Sequence, residues 1–281
     1  MAMSNSLAFD IVYEISEAVR PILSDPGKVE DLSGVVEDKG DGHTAHRIDL
    51  YAEKILFDVL DRIQYKGTVY SEERGLVKLG NDTRLLVCDP YCNTSLTFRG
   101  FRECAVAAYE YSLAGDFVSG AIADLQINRA LRAEAENSTR VVYPPKLGTT
   151  EAARCSEVRD VEDAFLAISL LKHKRRALLP LSVFQKAALV TTIDGAITAA
   201  RISLGEIDGF IDASVGQPSY EALAYEMVRR AGGVVSDTEG NSIDFRQIAA
   251  DLAKGVVRRH PMVVSSNAYL HQEMLSLVQQ R

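Results

Sequence analysis

Apolar residues recur at helical spacing in two stretches near the start of the chain. The first runs from Leu7 to Ile22 and the second from Ala45 to Ile63. Spacings of three and four residues place side chains on one face of a helix, so both stretches are predicted to be amphipathic helices. Ser4 or Asn5 is the expected cap of the first helix, and Pro26-Gly27 is its expected end.

Shorter apolar runs of the kind that form strands occupy the middle of the chain. Residues 105–111 and 119–131, joined by a turn at residues 113–116, predict an antiparallel meander. Beyond a connecting region at about residues 137–146, predicted strands alternate with predicted helices. The strands lie at residues 164–170, 209–212, 233–236 and 262–265, and the helices lie at residues 195–204, 220–230 and from 268 onward.

This order of elements indicates the fold class. Two helices and a meander, followed by alternating strands and helices, predict an α+β half at residues 1–145 and an α/β half at residues 146–281. The chain has 281 residues, of which 47% are hydrophobic. It is therefore long and apolar enough to bury a sizeable core.

Charge and cysteine usage restrict the class of partner and the compartment. The net charge is −8, whereas nucleic acids and anionic membranes are bound by basic surfaces. No apolar run approaches the roughly 20 residues of a membrane span, and residues 1–6 lack the regions of a signal peptide. The four cysteines form no CxxC pair, which suits a reducing compartment. We therefore expect a cytoplasmic protein whose partners are small molecules, with no nucleic acid and no membrane among them.

Acidic residues directly follow two of the short apolar runs. Ser71-Glu72-Glu73 comes after residues 67–70, and Asp89-Pro90 comes after residues 85–88. Each motif alone is more typical of a solvated turn. Two strands that end at one rim, however, bring both carboxylates to one place, and magnesium requires hard oxygen ligands of this kind. The joint occurrence of the motifs favours a site for a metal and a phosphate.

Together these motifs resemble those of the inositol monophosphatase and fructose-1,6-bisphosphatase family. The family's glutamate pair matches Glu72-Glu73, and its Asp-Pro-x-Asp-Gly-Thr core matches residues 89–94 with substitutions. Its late helix leading into Ala-Gly-Gly matches residues 219–233, and its substrate-side segment matches residues 195–212. The likeness covers nearly the whole chain and implies a layered αβαβα sandwich of the inositol monophosphatase type.

The resemblance also implies a metal-dependent phosphatase that acts on a small phosphorylated polyol or sugar and forms a homodimer. Magnesium ions in that family polarise a phosphate ester and activate the attacking water. By resemblance, the first metal site would consist of Glu72, Asp89 and the carbonyl of Tyr91.

Further roles carry over by resemblance to residues around this metal site. Thr94 and Asp49 would orient the attacking water, although Asp49 alone is equally compatible with a plain surface acid. The backbone amides from Asn93 to Ser95 would bind the phosphate at a helix start, where unpaired N–H groups favour anions. Asp212 would bind a substrate hydroxyl or simply end a strand.

The second metal site of the family departs from the pattern. Its two private ligand positions carry Cys92 and Tyr220, and neither residue is an aspartate. A thiolate prefers softer ions than magnesium, and a phenol, with a reference pKa of about 10, is protonated at neutral pH. Glu221 would replace Tyr220 only if the helix start had shifted register, because one helical step turns a side chain by roughly 100°. Asn93 stands where the family has glycine, and asparagine tolerates the positive φ of such a turn.

Several residues near these motifs have both a structural and a functional interpretation. Cys92 is either a nucleophile activated by the neighbouring amides or a packing residue. Lys39 or Asp41 on the loop before the second helix would assist the water, and His43 and His46 beside that loop either face the ligand or serve structure. The basic run at residues 172–176 is either a solvated segment or a contact to an anionic substrate or a neighbouring subunit.

Three functions therefore remain open on the sequence. The first is a magnesium-dependent phosphatase with an impaired second metal site. The second is an enzyme that uses phosphate or diphosphate as a leaving group in elimination, cyclisation or transfer. The third is a binder of phosphorylated ligands that has no catalytic turnover, because a fold does not by itself imply a function.

Overall fold

The computed structural model describes residues 6–38, 44–101, 103–127, 129–134, 137–142, 150–169 and 181–280. The helices are α1 (Leu7–Leu23), α2 (Pro26–Leu32), α3 (Arg47–Arg62), α4 (Thr94–Thr97), α5 (Leu181–Lys186), α6 (Gly195–Ser203), α7 (Ser219–Ala222), α8 (Tyr225–Arg230), α9 (Phe245–Leu252) and α10 (Ala268–Gln279). None of these described helices is long and apolar enough to cross a membrane.

Most of the strands form two sheets. They are β1 (Val35–Asp38), β2 (Thr44–His46), β3 (Thr68–Ser71), β4 (Gly75–Lys78), β5 (Arg84–Cys92), β6 (Ala105–Ser112), β7 (Phe117–Asp124), β8 (Arg129–Glu134), β9 (Asn137–Val142), β10 (Thr150–Ala152), β11 (Phe165–Ile168), β12 (Leu189–Thr191), β13 (Gly209–Pro218), β14 (Val234–Ser236) and β15 (Arg259–Ser265). The eight-stranded sheet has the order β10-β9-β8-β7-β6-β5-β3-β4, and the five-stranded sheet has the order β12-β11-β13-β15-β14. β1 and β2 form a separate two-stranded antiparallel sheet.

Three apolar clusters separate the layers. One packs α1 and α3 on the first face of the eight-stranded sheet, and the second fills the space between the two sheets around α6, α7 and α8. The third packs α10 and Val183 of α5 on the outer face of the five-stranded sheet. The order is therefore helix, sheet, helix, sheet, helix, which confirms the predicted αβαβα sandwich.

The amphipathic helices at the start of the chain are confirmed, with altered ends. Ser6 caps α1, because its hydroxyl accepts the amide of Phe9; Ser4 and Asn5 lie outside the described residues. Pro26 was expected to end the first helix, but it begins the second helix, α2. Proline suits the first helical position because its missing N–H would have no partner within the helix there.

Three predicted elements differ from the structure. Residues 119–131 are divided between β7 and β8 by a turn, and the predicted connecting region at residues 137–146 contains β9. The predicted helix at residues 220–230 is two short helices, α7 and α8. The eight-stranded sheet continues through β10, beyond the predicted domain boundary at residue 145, and that boundary stays a prediction.

Candidate active site

Glu72 and Asp89 lie side by side because β3 and β5 are parallel neighbours. Ser71 is in register with Cys88, and the amide of Glu72 donates to the carbonyl of Cys88 at 3.3 Å. The next residue on each strand therefore extends from the same edge of the sheet. A hydrogen bond joins the two carboxyl groups, and the Asp89 side chain is only 4% exposed. The structure thus confirms the prediction that two strands place their carboxylates at one edge of the sheet.

This carboxyl pair holds a proton near neutral pH. Burial, followed by the nearby charge of Glu221, raises the pKa of Asp89 to about 7. Burial and the charge of Asp89 raise the pKa of Glu72 well above its usual range, so the pair retains a proton at neutral pH. Two buried acids held in contact are a place where a cation would replace a proton.

Asp49 and Thr94 lie together beside this pair. Asp49 is in the first turn of α3 and 5% exposed, and it accepts the Thr94 hydroxyl at 2.6 Å and the His46 amide at 2.7 Å. The alternative that Asp49 is a plain surface acid is therefore wrong. Burial raises the pKa of Asp49 to about 6, and its hydrogen bonds oppose that rise.

The turn after β5 has the conformation that the sequence predicts. Asn93 has φ of +66°, in the left-handed region that its family counterpart, glycine, adopts freely. Its side-chain amide donates to the carbonyl of Asp194 at 3.1 Å, which links this turn to the start of α6. Thr94 and Ser95 begin the short helix α4, and first-turn amides have no carbonyl partner within their own helix.

Tyr91 supplies a backbone carbonyl rather than a polar side chain. Its ring is buried and its hydroxyl lies 2.9 Å from Thr97 Oγ1, away from the carboxyl pair. The Tyr91 amide donates to Asp89 Oδ1 at 3.1 Å, and its carbonyl lies 3.2 Å from the Thr94 hydroxyl. The Tyr91 carbonyl, the expected metal ligand, therefore lies between Asp89 and the Asp49–Thr94 pair.

Cys92 and Tyr220 both face this site. Tyr220 is 8% exposed, its hydroxyl donates to Glu72 Oε1 at 3.2 Å, and its ring stacks on Tyr70 with centroids 5.8 Å apart. Burial, followed by the charge of Asp89, raises the pKa of the Cys92 thiol well above its usual range. A protonated thiol is a poor nucleophile, so the geometry supports packing for Cys92.

Other acidic groups line the opposite side of the site. Asp194 caps α6 and accepts the Ser169 hydroxyl at 3.0 Å, and burial raises its pKa to about 6. Asp212 is fully buried and accepts the Gly216 amide at 3.1 Å and the Gln217 side-chain amide at 2.8 Å. These bonds stabilise the irregular part of β13, and a substrate-binding role for Asp212 stays a prediction.

Four of the basic and loop candidates cannot be placed. Lys39, Asp41 and His43 and the run at residues 172–176 lie outside the described residues. His46 is described and has a structural position: its Nδ1 lies 2.8 Å from the Ser33 carbonyl and its ring packs against Phe98.

Solved structures with this architecture identify the fold. The extragenic suppressor protein SuhB from Bartonella henselae matches with a TM-score of 0.77 and 22% identity over 98% of this chain and 99% of that one. The Thermotoga maritima IMPase matches with a TM-score of 0.75 and 18% identity over 98% and 96%. The inositol monophosphatase from Anabaena (Nostoc) matches with a TM-score of 0.68 and 17% identity over 96% and 94%. The chain has the inositol monophosphatase fold. No family model matches the sequence, and no curated protein matches it.

The inositol monophosphatase fold implies metal ions, and the two sides of the site differ in how well they fit them. On the first side, hard oxygens from Glu72, Asp89 and Tyr91 meet. On the second side, Cys92 and Tyr220 do not fit magnesium. No group of three or more His, Cys, Asp or Glu side chains among the described residues is arranged to hold a metal. Magnesium commonly binds through one or two carboxylates plus water and phosphate, so this finding is compatible with the first side.

One buried acid that supports this site was not foreseen from the sequence. Glu53, four residues after Asp49 on α3, is buried and accepts the Ser71 hydroxyl, the Arg74 amide at 3.1 Å and Arg74 Nε at 3.1 Å. It thereby holds the β3–β4 turn that contains Glu72. The spacing of four on an otherwise apolar helix face is the signal that could have revealed it.

Proposed function

We propose that this protein is a divalent-cation-dependent phosphomonoesterase acting on a small phosphorylated polyol or sugar. The single observation that carries the proposal is the position of the Asp49–Thr94 hydrogen bond beside the hydrogen-bonded Glu72–Asp89 pair. The Asp49–Thr94 pair is suited to accepting a proton from water, and the Glu72–Asp89 pair is suited to binding a cation. Both are held by backbone elements of one sheet edge and one helix, so their relative geometry is fixed.

The chain's own groups divide the work of hydrolysis. The Thr94 hydroxyl donates a hydrogen bond to Asp49, so the oxygen lone pairs of Thr94 can accept a hydrogen bond from a water molecule. Asp49 is ionised above pH of about 6 and can receive the proton that this water loses on attack at phosphorus. The phosphorus–oxygen ester bond breaks, the leaving alkoxide takes a proton from solvent, and the products are an alcohol and inorganic phosphate.

Glu72, Asp89 and the Tyr91 carbonyl would hold magnesium. When bound there, the cation supplies a Lewis acid for the phosphate and lowers the pKa of a coordinated water. The amides of Thr94 and Ser95 at the start of α4 would bind the phosphate oxygens, with Asn93 holding the turn in position.

The second metal position is impaired in this proposal. Tyr220 supplies a phenol donor to Glu72, and Cys92 supplies a neutral thiol, where the fold's family has aspartates. Loss of two hard ligands weakens a second cation and removes part of the stabilisation of the leaving oxygen. We expect turnover to be slower than in an enzyme with both aspartates.

The test is phosphate release from a panel of phosphorylated polyols, sugars and nucleotides, with magnesium and with chelator, while each organic product is followed by mass. The proposal expects magnesium-dependent release of phosphate together with the simple alcohol, and loss of both in Asp89→Asn. A dehydrated, cyclised or transferred product would favour the second function considered above. Tight binding of phosphorylated compounds with no product would favour a non-catalytic binder. The resemblance also implies a homodimer, which sedimentation of the same preparation would test.

A further inference from the structure

Helix α6 connects the turn after β5 with a group of ion pairs at its other end. The Asn93 side-chain amide donates to the carbonyl of Asp194, just before the helix, at 3.1 Å, and the Ala196 amide donates to the Cys92 thiol. A Cβ atom placed on Gly195 would lie only 2.7 Å from Cys92 Sγ, so the helix start approaches β5 as closely as glycine allows. The nine residues of α6 span roughly 13 Å, which is the distance between the turn and the ion pairs.

Two arginines join the far end of α6 to the eight-stranded sheet. Arg201, in the last turn of α6, forms ion pairs with Glu103 at 2.6 Å and with Asp124 of β7 at 3.7 Å. Arg129 of β8 forms an ion pair with Glu206, just after α6. The side chains of Arg129, Arg201 and Asp124 are 13%, 22% and 5% exposed. These pairs are therefore largely withdrawn from solvent, where salt screens them less than it screens surface pairs.

Apolar packing alone holds this end of α6 poorly. A cavity of about 10 Å³ lies between α6 and strands β7 and β8, and Ala200, Leu204, Arg129 and Arg201 are among the residues that line it. Six of the eight buried residues of α6 are Gly, Ala, Ser or Thr, so few large side chains interlock with the sheet and resist a shift along the helix axis. Apolar burial is also non-directional, whereas an ion pair fixes the positions of two groups. The arginine pairs are therefore the contacts best suited to set the axial position of α6.

We infer that Arg201 is a positioning residue for the turn after β5, whose amides bind phosphate in the proposed function. By fixing α6 along its axis, Arg201 holds the Asp194 carbonyl where the Asn93 side chain donates to it. That hydrogen bond in turn steadies the amides at the start of α4. The inference rests on the proposed function and deepens it. Glycine, which the resembled family has in place of Asn93, has no side chain to donate this bond, so the connection belongs to this chain's own sequence.

Phosphate binding tests this connection without requiring turnover. The dissociation constant of inorganic phosphate, with magnesium present, is measured by phosphorus NMR on the full chain for the wild type, Arg201→Met, Asn93→Gly and the double variant. Asn93→Gly removes the side-chain donor, and glycine keeps the positive φ of the turn. Each single variant should weaken phosphate binding about fivefold, the effect of one neutral hydrogen bond. The double variant should also lose about fivefold, because both substitutions break one connection, whereas independent effects would multiply to about 25-fold.

Arg84→Met is the matched control for a general loss of stability. Arg84 also bridges two acids, Asp82 at 2.6 Å and the buried Glu110 at 3.2 Å, but it lies at the start of β5, the end of the strand away from the turn. Both methionine variants leave a buried acid without its arginine and should unfold at a lower temperature. Only Arg201→Met should weaken phosphate binding. If that variant does not fold, Glu103→Gln removes one partner of Arg201 and should cause a smaller loss, which disappears when the turn already carries glycine.

Four results would overturn the inference. They are a wild type that binds no phosphate, an Arg201→Met variant with wild-type phosphate affinity, a multiplied loss in the double variant, and an equal loss in Arg84→Met. Phosphate release is measured separately, so the outcomes are distinguishable. The expected pattern of phosphate binding without hydrolysis would refute the proposed function alone, whereas hydrolysis with a multiplied loss would refute only the role of Arg201.

Discussion

At the scale of single residues, the proton shared by Glu72 and Asp89 competes with any cation that binds there. The Asp89 pKa is raised to about 7 and the Glu72 pKa lies well above its usual range, so a proton must leave before the cation binds. We predict that the apparent affinity for Mn²⁺ rises about tenfold per pH unit just above pH 7, where Glu72 still holds a proton, and more steeply below pH 7, where Asp89 is protonated as well. Titration calorimetry between pH 5.5 and 8.5 measures this. An affinity that does not change with pH would contradict a protonated pair.

A second residue-scale prediction concerns the Asp49–Thr94 pair. Asp49→Asn and Thr94→Val should each lower kcat by about 10²–10⁴-fold, which is the usual contribution of positioned acid–base groups. Thr94→Ser keeps the hydroxyl and should retain most of the activity. Steady-state rates together with Mn²⁺ binding provide the check, because cation binding should persist in all three variants. Loss of cation binding in Thr94→Val would show that the pair supports the metal site instead.

At the scale of elements, His271 connects α10 to two strands of the smaller sheet. Its Nδ1 lies 2.9 Å from Ser265 Oγ on β15, and its Nε2 lies 2.9 Å from Ser236 Oγ on β14. Burial lowers the His271 pKa to about 4, from an unfolded value near 6.5. The unfolded chain therefore binds this proton first, so His271 costs no stability above pH 6.5 and an increasing amount as the pH falls toward 4.

The measurable consequence is a difference in stability between pH 7 and pH 5. His271 should contribute a loss of about 2 kcal/mol in the free energy of unfolding over that interval. Urea denaturation of the wild type and of His271→Gln at both pH values isolates this contribution, because the glutamine variant should lose less by that amount. Parallel losses in the two proteins would mean that His271 is not buried as a neutral ring.

Elements with a strong apolar pattern were predictable from the sequence, and those determined by long-range contacts were not. α1 and α3 follow directly from their apolar spacing, and β5 follows from its apolar run, although the strand continues beyond that run to Cys92. The positive φ of Asn93 was expected because the resemblance places a glycine of the family there. β9 was missed because four of its six residues, Asn-Ser-Thr-Arg-Val-Val, are polar and its register comes from β8 and β10.

The candidate site divides in the same way. Glu72 and Asp89 were predicted because each follows a short apolar run, and Asp49 and Thr94 were named because the family resemblance assigns them roles. The approach of Glu221 to Gly195 at the start of α6 was not predicted, because it depends on the packing of α7 against α6, which helical periodicity does not show.

At the scale of the whole molecule, the two sheets should unfold together. One apolar cluster includes residues of both sheets, and hydrogen bonds cross between the halves from Asn93 to Asp194, from Tyr111 to Glu226 and from Tyr220 to Glu72. A ligand of the folded state stabilises by about 2.7 kcal/mol at a hundredfold excess over its dissociation constant.

We therefore predict one cooperative thermal transition whose midpoint rises with magnesium. Differential scanning calorimetry with magnesium and with chelator measures the change. Asp89→Asn should show no magnesium-dependent rise, and without metal it should be at least as stable as the wild type. Two separate transitions would indicate that the halves at residues 1–145 and 146–281 fold independently.

The spacing of Asp49 and Glu53 on α3 has a consequence for how this chain can vary. Asp49 holds Thr94, and Glu53 holds the turn that contains Glu72, so a single helix face sets the separation between the two halves of the site. One residue inserted between them would turn Glu53 by roughly 100° relative to Asp49. The helix could then no longer hold both Thr94 and the β3–β4 turn. Substitutions on the outer face of α3 can accumulate freely, whereas a change of length within this four-residue interval would disable cation binding and water activation in one event.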